Sequence, residues 1–268
     1  MNIIRIHCSD EAAAASPPDL FGLMAGVERF SIEVPTEVAI VLGAGAPVFV
    51  GVSGGRDSQA LAYRVCAHLD EIGHQGRRFL IHADLGRVDW RDSLPVCERL
   101  AHRLGVELVV VRRNAGDMMD RWLSRWAANV ARYANLECVK LILPWSTAAQ
   151  RFCTAELKSQ IIAREMRRRF PEGDVVSAVG IRREESAKRA RMPAWKQDER
   201  TTRRRGAGHT WNPLLGWRRG DVNDYVRIRG DELHEAYRLY GSTRVSCAFC
   251  VLGSEHDLRA SSNCADNQ

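Results

Sequence analysis

Residues 47–62 read Pro-Val-Phe-Val-Gly-Val-Ser-Gly-Gly-Arg-Asp-Ser-Gln-Ala-Leu-Ala. Pro47 to Val52 is a short apolar run, the pattern of a buried strand. From Asp57 to Leu69 the apolar residues Ala60, Leu61, Tyr63, Val65 and Leu69 recur at helical spacing. Ser53-Gly-Gly-Arg-Asp-Ser58 therefore sits between a strand and a helix. Two glycines let the backbone approach an anion closely. Successive N–H groups at a helix N-terminus form an anion-binding nest, and the helix dipole adds to it. Ser53 and Ser58 add hydroxyl donors, and Arg56 can add a cation. Asp57, in the first turn, can cap the helix or help hold Mg²⁺.

The same alternation continues outward. Phe79 to Ala83 reads as a second strand, Arg91 to Leu104 as a helix and Glu107 to Val111 as a third strand. Asp117 to Ala131 and Thr154 to Phe170 read as helices, and Asp174 to Val179 as a further strand. Strand and helix in this order mean parallel βαβ units. The expected fold is α/β: an open, mostly parallel twisted sheet with helices on both faces, plus a small irregular helical C-terminal part. In such folds ligands bind beyond the carboxyl ends of the strands, near a topological switch point. The loops after Val52, Ala83 and Val179 are thus the places where chemistry is expected. The expected organisation is an N-terminal helical extension (1–46), a nucleotide-binding domain (47–181), and a basic arm with a cysteine-containing region (182–268).

Two other motifs overlap the loop. Val41-Leu-Gly-Ala-Gly-Ala46 begins like a dinucleotide fingerprint, but the third glycine is missing and Pro47 leads into a strand where a helix is required. Gly51-Val-Ser-Gly-Gly55 fits the nucleophile elbow of serine hydrolases, with His209, His234 and His256 available downstream. That reading leaves the remaining signals unexplained. A Walker A loop is excluded, since the chain has no Gly-Lys pair.

Composition bounds the rest. The 268 residues are 45% hydrophobic and 27% charged, which excludes a collagen-like, mucin-like or wholly disordered chain. A chain of this length buries a core without disulfides. Lys plus Arg number 39 against 33 Asp plus Glu, a net +6 that suggests polyanionic partners. No stretch is long and apolar enough to span a bilayer, and the first twenty residues lack the apolar core of a signal peptide. A cytoplasmic location is expected, and there the eight cysteines would be thiols, metal ligands or redox groups. The chain ends without an evident closing element, as a fragment of a longer protein would.

Ser53-Gly-Gly-Arg-Asp-Ser58 resembles the SGGxDS signature of PP-loop ATP pyrophosphatases, the adenine nucleotide alpha hydrolase-like proteins. Three further segments resemble the branch that holds phosphoadenylylsulfate reductases and DNA phosphorothioation sulfurtransferases. They are His82-Ala-Asp-Leu-Gly-Arg87, Cys153-Thr-Ala-Glu-Leu-Lys158, and Gly180-Ile-Arg-Arg-Glu-Glu-Ser186 with Arg189 after it. The resemblance covers roughly residues 47–250, in order. It implies that ATP or a related nucleotide binds with Mg²⁺, with Ser53, Gly54, Gly55, Asp57 and Ser58 cradling its pyrophosphate. It places Asp84 close to the nucleotide, where the alternative is a turn cap. It has Arg182 and Arg183 meeting phosphate oxygens, which suits a planar, permanently charged fork; the alternative is a solvated arm.

Cys247-Ala-Phe-Cys250 is a C-x₂-C pair, followed after thirteen intervening residues by Cys264. Cys153 is a fourth candidate, brought in by the fold. Four thiolates suit a structural Zn²⁺ or a [4Fe–4S] cluster, and His256 can replace one of them. The resemblance includes iron–sulfur members and so favours the cluster. Cys8, Cys66, Cys97 and Cys138 read as ordinary, with Cys66 and Cys97 at helical core positions. From Arg182 to Arg205 ten residues are Lys or Arg against four acidic ones, a mobile basic arm in expectation. Beside Trp195 and Trp211 such an arm can track a phosphate backbone and stack a base. Trp122 and Trp126 read as core or interface packing. The implied activity is transfer of AMP from ATP to a substrate oxygen, then displacement by sulfur. DNA is the favoured acceptor over RNA, and a cysteine desulfurase the sulfur donor. The runner-up is an adenylylsulfate or phosphoadenylylsulfate reductase. Members of that group without a cluster resemble one another in a Glu-Cys-Gly-Leu-His tail, which does not occur in these residues. A third reading is a metal-stabilised nucleic-acid-binding module without turnover.

Overall fold

The computed structural model describes residues 4–6, as backbone only, and 29–268. The expectation for Cys8 and the first part of the expected N-terminal helical extension, residues 7–28, lie outside the described residues.

Seven strands form one sheet: β1 Ile4–Ile6, β2 Val48–Val52, β3 Arg78–Asp84, β4 Glu107–Arg112, β5 Val175–Ala178, β6 Trp195–Gln197 and β7 Gly208–Trp211. Their order is β1-β4-β3-β2-β5-β7-β6. The five central strands are parallel, and β1 and β6 close the two edges antiparallel. From β2 the chain builds outward through β3 and β4 on one side, then returns to place β5 and β7 on the other. The strand order thus reverses between β2 and β5, which opens a crevice beyond their carboxyl ends.

Strand side chains alternate between two buried layers, as a parallel sheet covered on both faces requires. Val48, Val50, Val52, Leu80, Leu108, Val110 and Val176 face one core, with α1 Thr36–Gly43, α2 Arg56–Glu71 and α3 Ser93–Leu104. Phe49, Phe79, Ile81, Val109, Val111 and Val175 face the other. That second layer is closed by Ile161 and Met166 of α5 Gln160–Arg169. Between the two chain stretches lies α4 Met118–Ala134, whose start is fixed by reciprocal bonds between Asp117 and Asp120. Before α5, a wide π-helical turn spans Ala155–Ser159, a feature frequent at functional sites. Cys66 and Cys97 are buried in the first layer, as their spacing suggested.

Two expectations about organisation are corrected. The boundaries at 46 and 182 cut through one core. Val38, Val41 and Leu42 of α1 share it with Trp211, Leu214, Trp217 and Val226, the last on α6 Arg219–Ile228. The Trp211 indole donates to the Glu33 carbonyl at 2.8 Å, and Trp217 to Ser31 at 2.7 Å. Nor is 182–205 a free arm. It crosses the sheet edge as β6 and spends part of its charge internally: Arg183 on Glu33, Arg189 on Glu185, Arg200 on Asp198 and Arg205 on Glu172. Composition shows charge but not the carboxylates that fold back onto it.

Candidate active site

The loop after β2 is built by local constraint. Gly54 adopts φ 75°, a left-handed conformation that other residues rarely take. A Cβ there would stand 2.9 Å from the Ser93 carbonyl oxygen and 3.0 Å from its Cα, at the start of α3. The Ser58 hydroxyl donates to the Gly55 carbonyl at 2.7 Å and accepts the Ser53 N–H at 3.1 Å. Ser58 therefore locks the loop's shape as well as edging it. Gly55 caps α2 with no side chain over the helix start. Among the described residues no backbone acceptor takes the N–H of Gly55 or Asp57. These donors stand at the positive end of a 16-residue helix, the arrangement that holds phosphate.

The loop opens onto a cleft of 1020 Å³ that runs across the switch point, from Ile81 and Ala83 past Gly51 to Gly180 and Arg182. Arg182, only 5% exposed, donates from Nε to Asp57 Oδ1 at 2.5 Å and from its terminal nitrogen to Glu184. Burial pushes the Asp57 carboxyl above the usual carboxylate range, and Arg182 opposes that shift. The pair joins the two sides of the crevice, because Asp57 lies on α2 and Arg182 follows β5. Gly180 allows this approach: a Cβ there would meet the Asp57 carbonyl at 3.1 Å.

Arg151, Lys158, Arg218, Arg219 and Arg244 also line the cleft. Among the described residues none of them has a carboxylate within ion-pair distance. Lys158 stands on the π-helical turn before α5. The cleft is thus strongly cationic in a way that the chain's modest net charge does not reveal.

Arg56 also lines the cleft. Its guanidinium lies over the Tyr237 ring at 4.2 Å and donates to Asn223 and to the Thr243 carbonyl, which anchors the C-terminal segment to the loop. Other expected residues go elsewhere. Arg183 turns outward to Glu33 at 3.0 Å. Asp84 accepts the Gly86 N–H at 2.7 Å, pairs with Arg112, and borders a separate 430 Å³ pocket beside His82 and Asp89. Its geometry is that of a turn cap. Trp211 is fully buried and offers no free face to a base, whereas Trp195 is half-buried, its indole donating to His209 at 3.0 Å.

Cys153 and Cys247 pack against one apolar cluster of Leu85, Val88, Met118 and Leu157. Cys247 also lies within electrostatic reach of Cys250 and Lys158, and burial pushes its thiol up to about 12. Cys264 belongs to a different cluster, with Trp90, Ala236 and Ala248, and its thiol faces the Tyr240 hydroxyl. Among the described residues no three His, Cys, Asp or Glu side chains are arranged to ligate one ion as they stand. The soft thiol donors of Cys153, Cys247 and Cys250 gather in one place and suit iron–sulfur or zinc chemistry. Cys264 packs in the neighbouring cluster, which also holds Ala248 between Cys247 and Cys250.

The model of the phosphoadenosine phosphosulfate reductase domain matches residues 47–252, which includes the loop, the cleft and the C-x₂-C pair. The chain belongs to that family. This member of the phosphoadenosine phosphosulfate reductase family is similar to an uncharacterised 37.8 kDa protein in the gpa 5' region of Escherichia phage 186. That protein is 24% identical over 169 residues, covering 60% of this chain and 42% of its own length. The chain therefore spans less than half of that relative. Among solved structures, the phosphoadenylyl-sulfate reductase from Candida auris, in its phosphate complex, aligns at 11% identity and TM-score 0.47. The alignment covers 75% of this chain and 80% of that one. The U34-tRNA thiolase NcsA from Methanococcus maripaludis, solved with its [4Fe-4S] cluster, aligns at 14% identity and TM-score 0.49, over 86% and 68%.

The family segments also show where the sequence reading stopped short. Lys158 and Arg189 stand inside two of the quoted motifs and do line the cleft. Arg218 and Arg219, a pair directly after Trp217, and Arg244, three residues before Cys247, carried a visible signal only as basic residues next to motif positions. Arg151 precedes the Cys153 motif by two residues and carried none.

Proposed function

We propose that this member of the family binds ATP across the loop and cleft, transfers AMP to a substrate oxygen, and thereby prepares that position for sulfur. One observation carries the reading. The open amides of Gly55 and Asp57 face a cleft whose wall holds Arg182 and five cations that have no carboxylate partner among the described residues. Leaving pyrophosphate builds up negative charge, and preorganised donors and cations in a walled site stabilise it. No general base is needed if the attacking group is a phosphate oxygen. Asp57 keeps Oδ2 free of hydrogen bonds to Arg182, an oxygen suited to the Mg²⁺ that accompanies ATP.

The acceptor favoured is a nucleic-acid backbone, DNA before RNA, with a cysteine desulfurase as sulfur donor. Arg151, Arg218, Arg219 and Arg244 supply more positive charge than a bound triphosphate alone uses, which supports a second polyanion in the cleft. A [4Fe–4S] cluster, with Zn²⁺ as the alternative, would be held by Cys153, Cys247 and Cys250; bound there, it would supply electron or sulfur chemistry beside the cleft. The family membership favours a second reading, reduction of adenylylsulfate or phosphoadenylylsulfate.

Products separate the readings. Incubation with ATP, Mg²⁺ and nucleic acid is expected to release pyrophosphate and leave AMP on the acceptor oxygen, and AMP is released when a sulfur donor that displaces it is added. Thioredoxin-dependent sulfite release from an adenylylated sulfate would instead select the reductase. Nucleic-acid retention with no turnover would leave a binding module. The metal assignment has its own readout. Protein purified without oxygen is expected to contain iron and to absorb in the visible, and Cys247→Ala to lose both. Cys264→Ala is expected to keep its metal content, because that thiol lies in another cluster. Equal loss in both variants would return Cys264 to the ligand set.

A further inference from the structure

One face of α4 is lined with arginine. Arg121, Arg125 and Arg132 are spaced by four and seven residues, so they fall within about 40° of one another around the helix. With Ser124, Ala128 and Asn129 they form the floor of a 290 Å³ groove. Its wall is the chain that returns after the helix, held by a bond from the Asn129 amide to the Ile142 carbonyl at 2.6 Å. From Arg121 to Arg132 the floor runs about 16 Å.

The guanidiniums are held in place by the protein itself. Arg121 and Arg125 each lie over the Phe152 ring, 4.9 Å from its centroid. Arg121 also gives Nε and one terminal nitrogen to Glu156, at 2.7 and 3.1 Å. That bond holds the Glu156 carboxyl below its usual range, and the charges of Arg113 and Arg125 add to the effect. One carboxylate thus sits among three guanidiniums. Among the described residues neither Arg113 nor Arg125 has a carboxylate within ion-pair distance, and Arg132 reaches the exposed Glu137 at 3.7 Å. A planar fork already fixed against a ring loses little freedom on meeting a phosphate.

The groove leads to the cleft. Phe152 directly follows Arg151, a cation of the cleft wall, and Glu156 stands on the same π-helical turn as Lys158. Positive charge therefore continues from the groove into the cleft, and the ligand that fits both is an extended polyanion.

We propose that this groove is the track on which the backbone of a DNA strand lies as it enters the cleft. The track presupposes the nucleic-acid acceptor proposed above and gives it a path. Each strand of a duplex carries one phosphate per ~3.4 Å of axis, so a groove of about 16 Å meets several. Its lining of guanidiniums, small side chains and Ile142 suits contact with phosphate rather than the reading of bases.

Fluorescence anisotropy with a labelled DNA duplex, titrated at several salt concentrations, tests this. Arg125→Ala and Arg132→Ala are each expected to weaken binding about fivefold and to lower the salt slope by about 0.9, the share of one phosphate contact. The double variant Arg125→Glu/Arg132→Glu is expected to lose about 100-fold. In the pyrophosphate assay these variants should raise the KM for DNA by the same factors and keep kcat, since the groove lies away from the reacting atoms. Arg205→Ala, in an exposed ion pair before the amino end of β7, should bind as the wild type does. Arg132 has an exposed side chain, so its variant reports on the track even where Arg125→Ala disturbs the Phe152 ring. A wild type that binds DNA and turns over, with variants that bind equally well, overturns the track and leaves the acceptor standing. A wild type that binds no DNA, or RNA alone, overturns both. A fall in kcat at unchanged KM overturns the track, because it would put these arginines at the reaction itself.

Discussion

Gly54→Ala is expected to abolish nucleotide binding and to destabilise the protein by about 2–4 kcal/mol. Two costs add. At φ 75° an L side chain is strained whatever its surroundings. The new methyl would also meet backbone, the Ser93 carbonyl at 2.9 Å and Cα at 3.0 Å, with the buried His234 ring at 3.2 Å behind them. Backbone at the start of a packed helix cannot move aside as a long side chain can. His234 is itself fixed, its Nδ1 accepting the Ala236 N–H at 3.0 Å and its other nitrogen facing the Ser93 hydroxyl. The loop must therefore shift, and its open amides turn away from the cleft. Titration calorimetry with a nonhydrolysable ATP analogue should show affinity lower by about 100-fold or more. Chemical unfolding reads the stability loss. An alanine variant that binds as tightly as the wild type would remove the loop from the phosphate site.

Arg182→Ala is expected to lower pyrophosphate release by about 100- to 1,000-fold, the usual effect of removing a preorganised group that meets developing charge. Stability should fall by about 3 kcal/mol, since Asp57 is left without its partner in a largely buried place. Arg182→Lys should recover stability better than turnover, because an ammonium replaces the charge but not the fork that reaches Asp57 and Glu184 together. Asp57→Ala should lose turnover as severely. Arg183→Ala should stay within about twofold of the wild type, a size typical of an exposed ion pair. Its partner is Glu33, on the far side from the cleft. Stopped-time assays of pyrophosphate with the four variants separate the roles. If Arg182→Ala and Arg183→Ala lose activity alike, the cleft has been assigned to the wrong arginine.

These two neighbouring arginines mark the limit of what could be read from residue order. Ser53 to Ser58 was legible because its constraints are local. A strand must end, a glycine must take the left-handed turn, and a helix must begin with unpaired amides. Each is a property of a few consecutive residues. The parallel sheet was legible for the same reason, through the alternation of apolar runs and helical spacings. Arg182 and Arg183 are identical in composition and adjacent in sequence, yet one is buried against Asp57 and the other is spent on Glu33.

The same separation holds for the charges and the thiols. Ten basic residues between 182 and 205 suggested an arm, but the carboxylates that neutralise several of them come from residues 33, 172, 185 and 198. The cations of the cleft that lack a carboxylate partner among the described residues come from 151, 158, 218, 219 and 244. Cys153 meets Cys247 because both reach the cluster around Leu85 and Met118, whereas Cys264, closer to Cys247 in sequence, is drawn off by Trp90.

By itself the sequence determined the strand–loop–helix unit, the layered α/β fold and the family, since backbone sterics and hydrophobic periodicity act over short stretches of chain. Only the tertiary structure decided which arginine faces the loop and which thiols gather. Those outcomes depend on partners far apart along the chain, and a side chain's charge or thiol does not specify the partner it will meet.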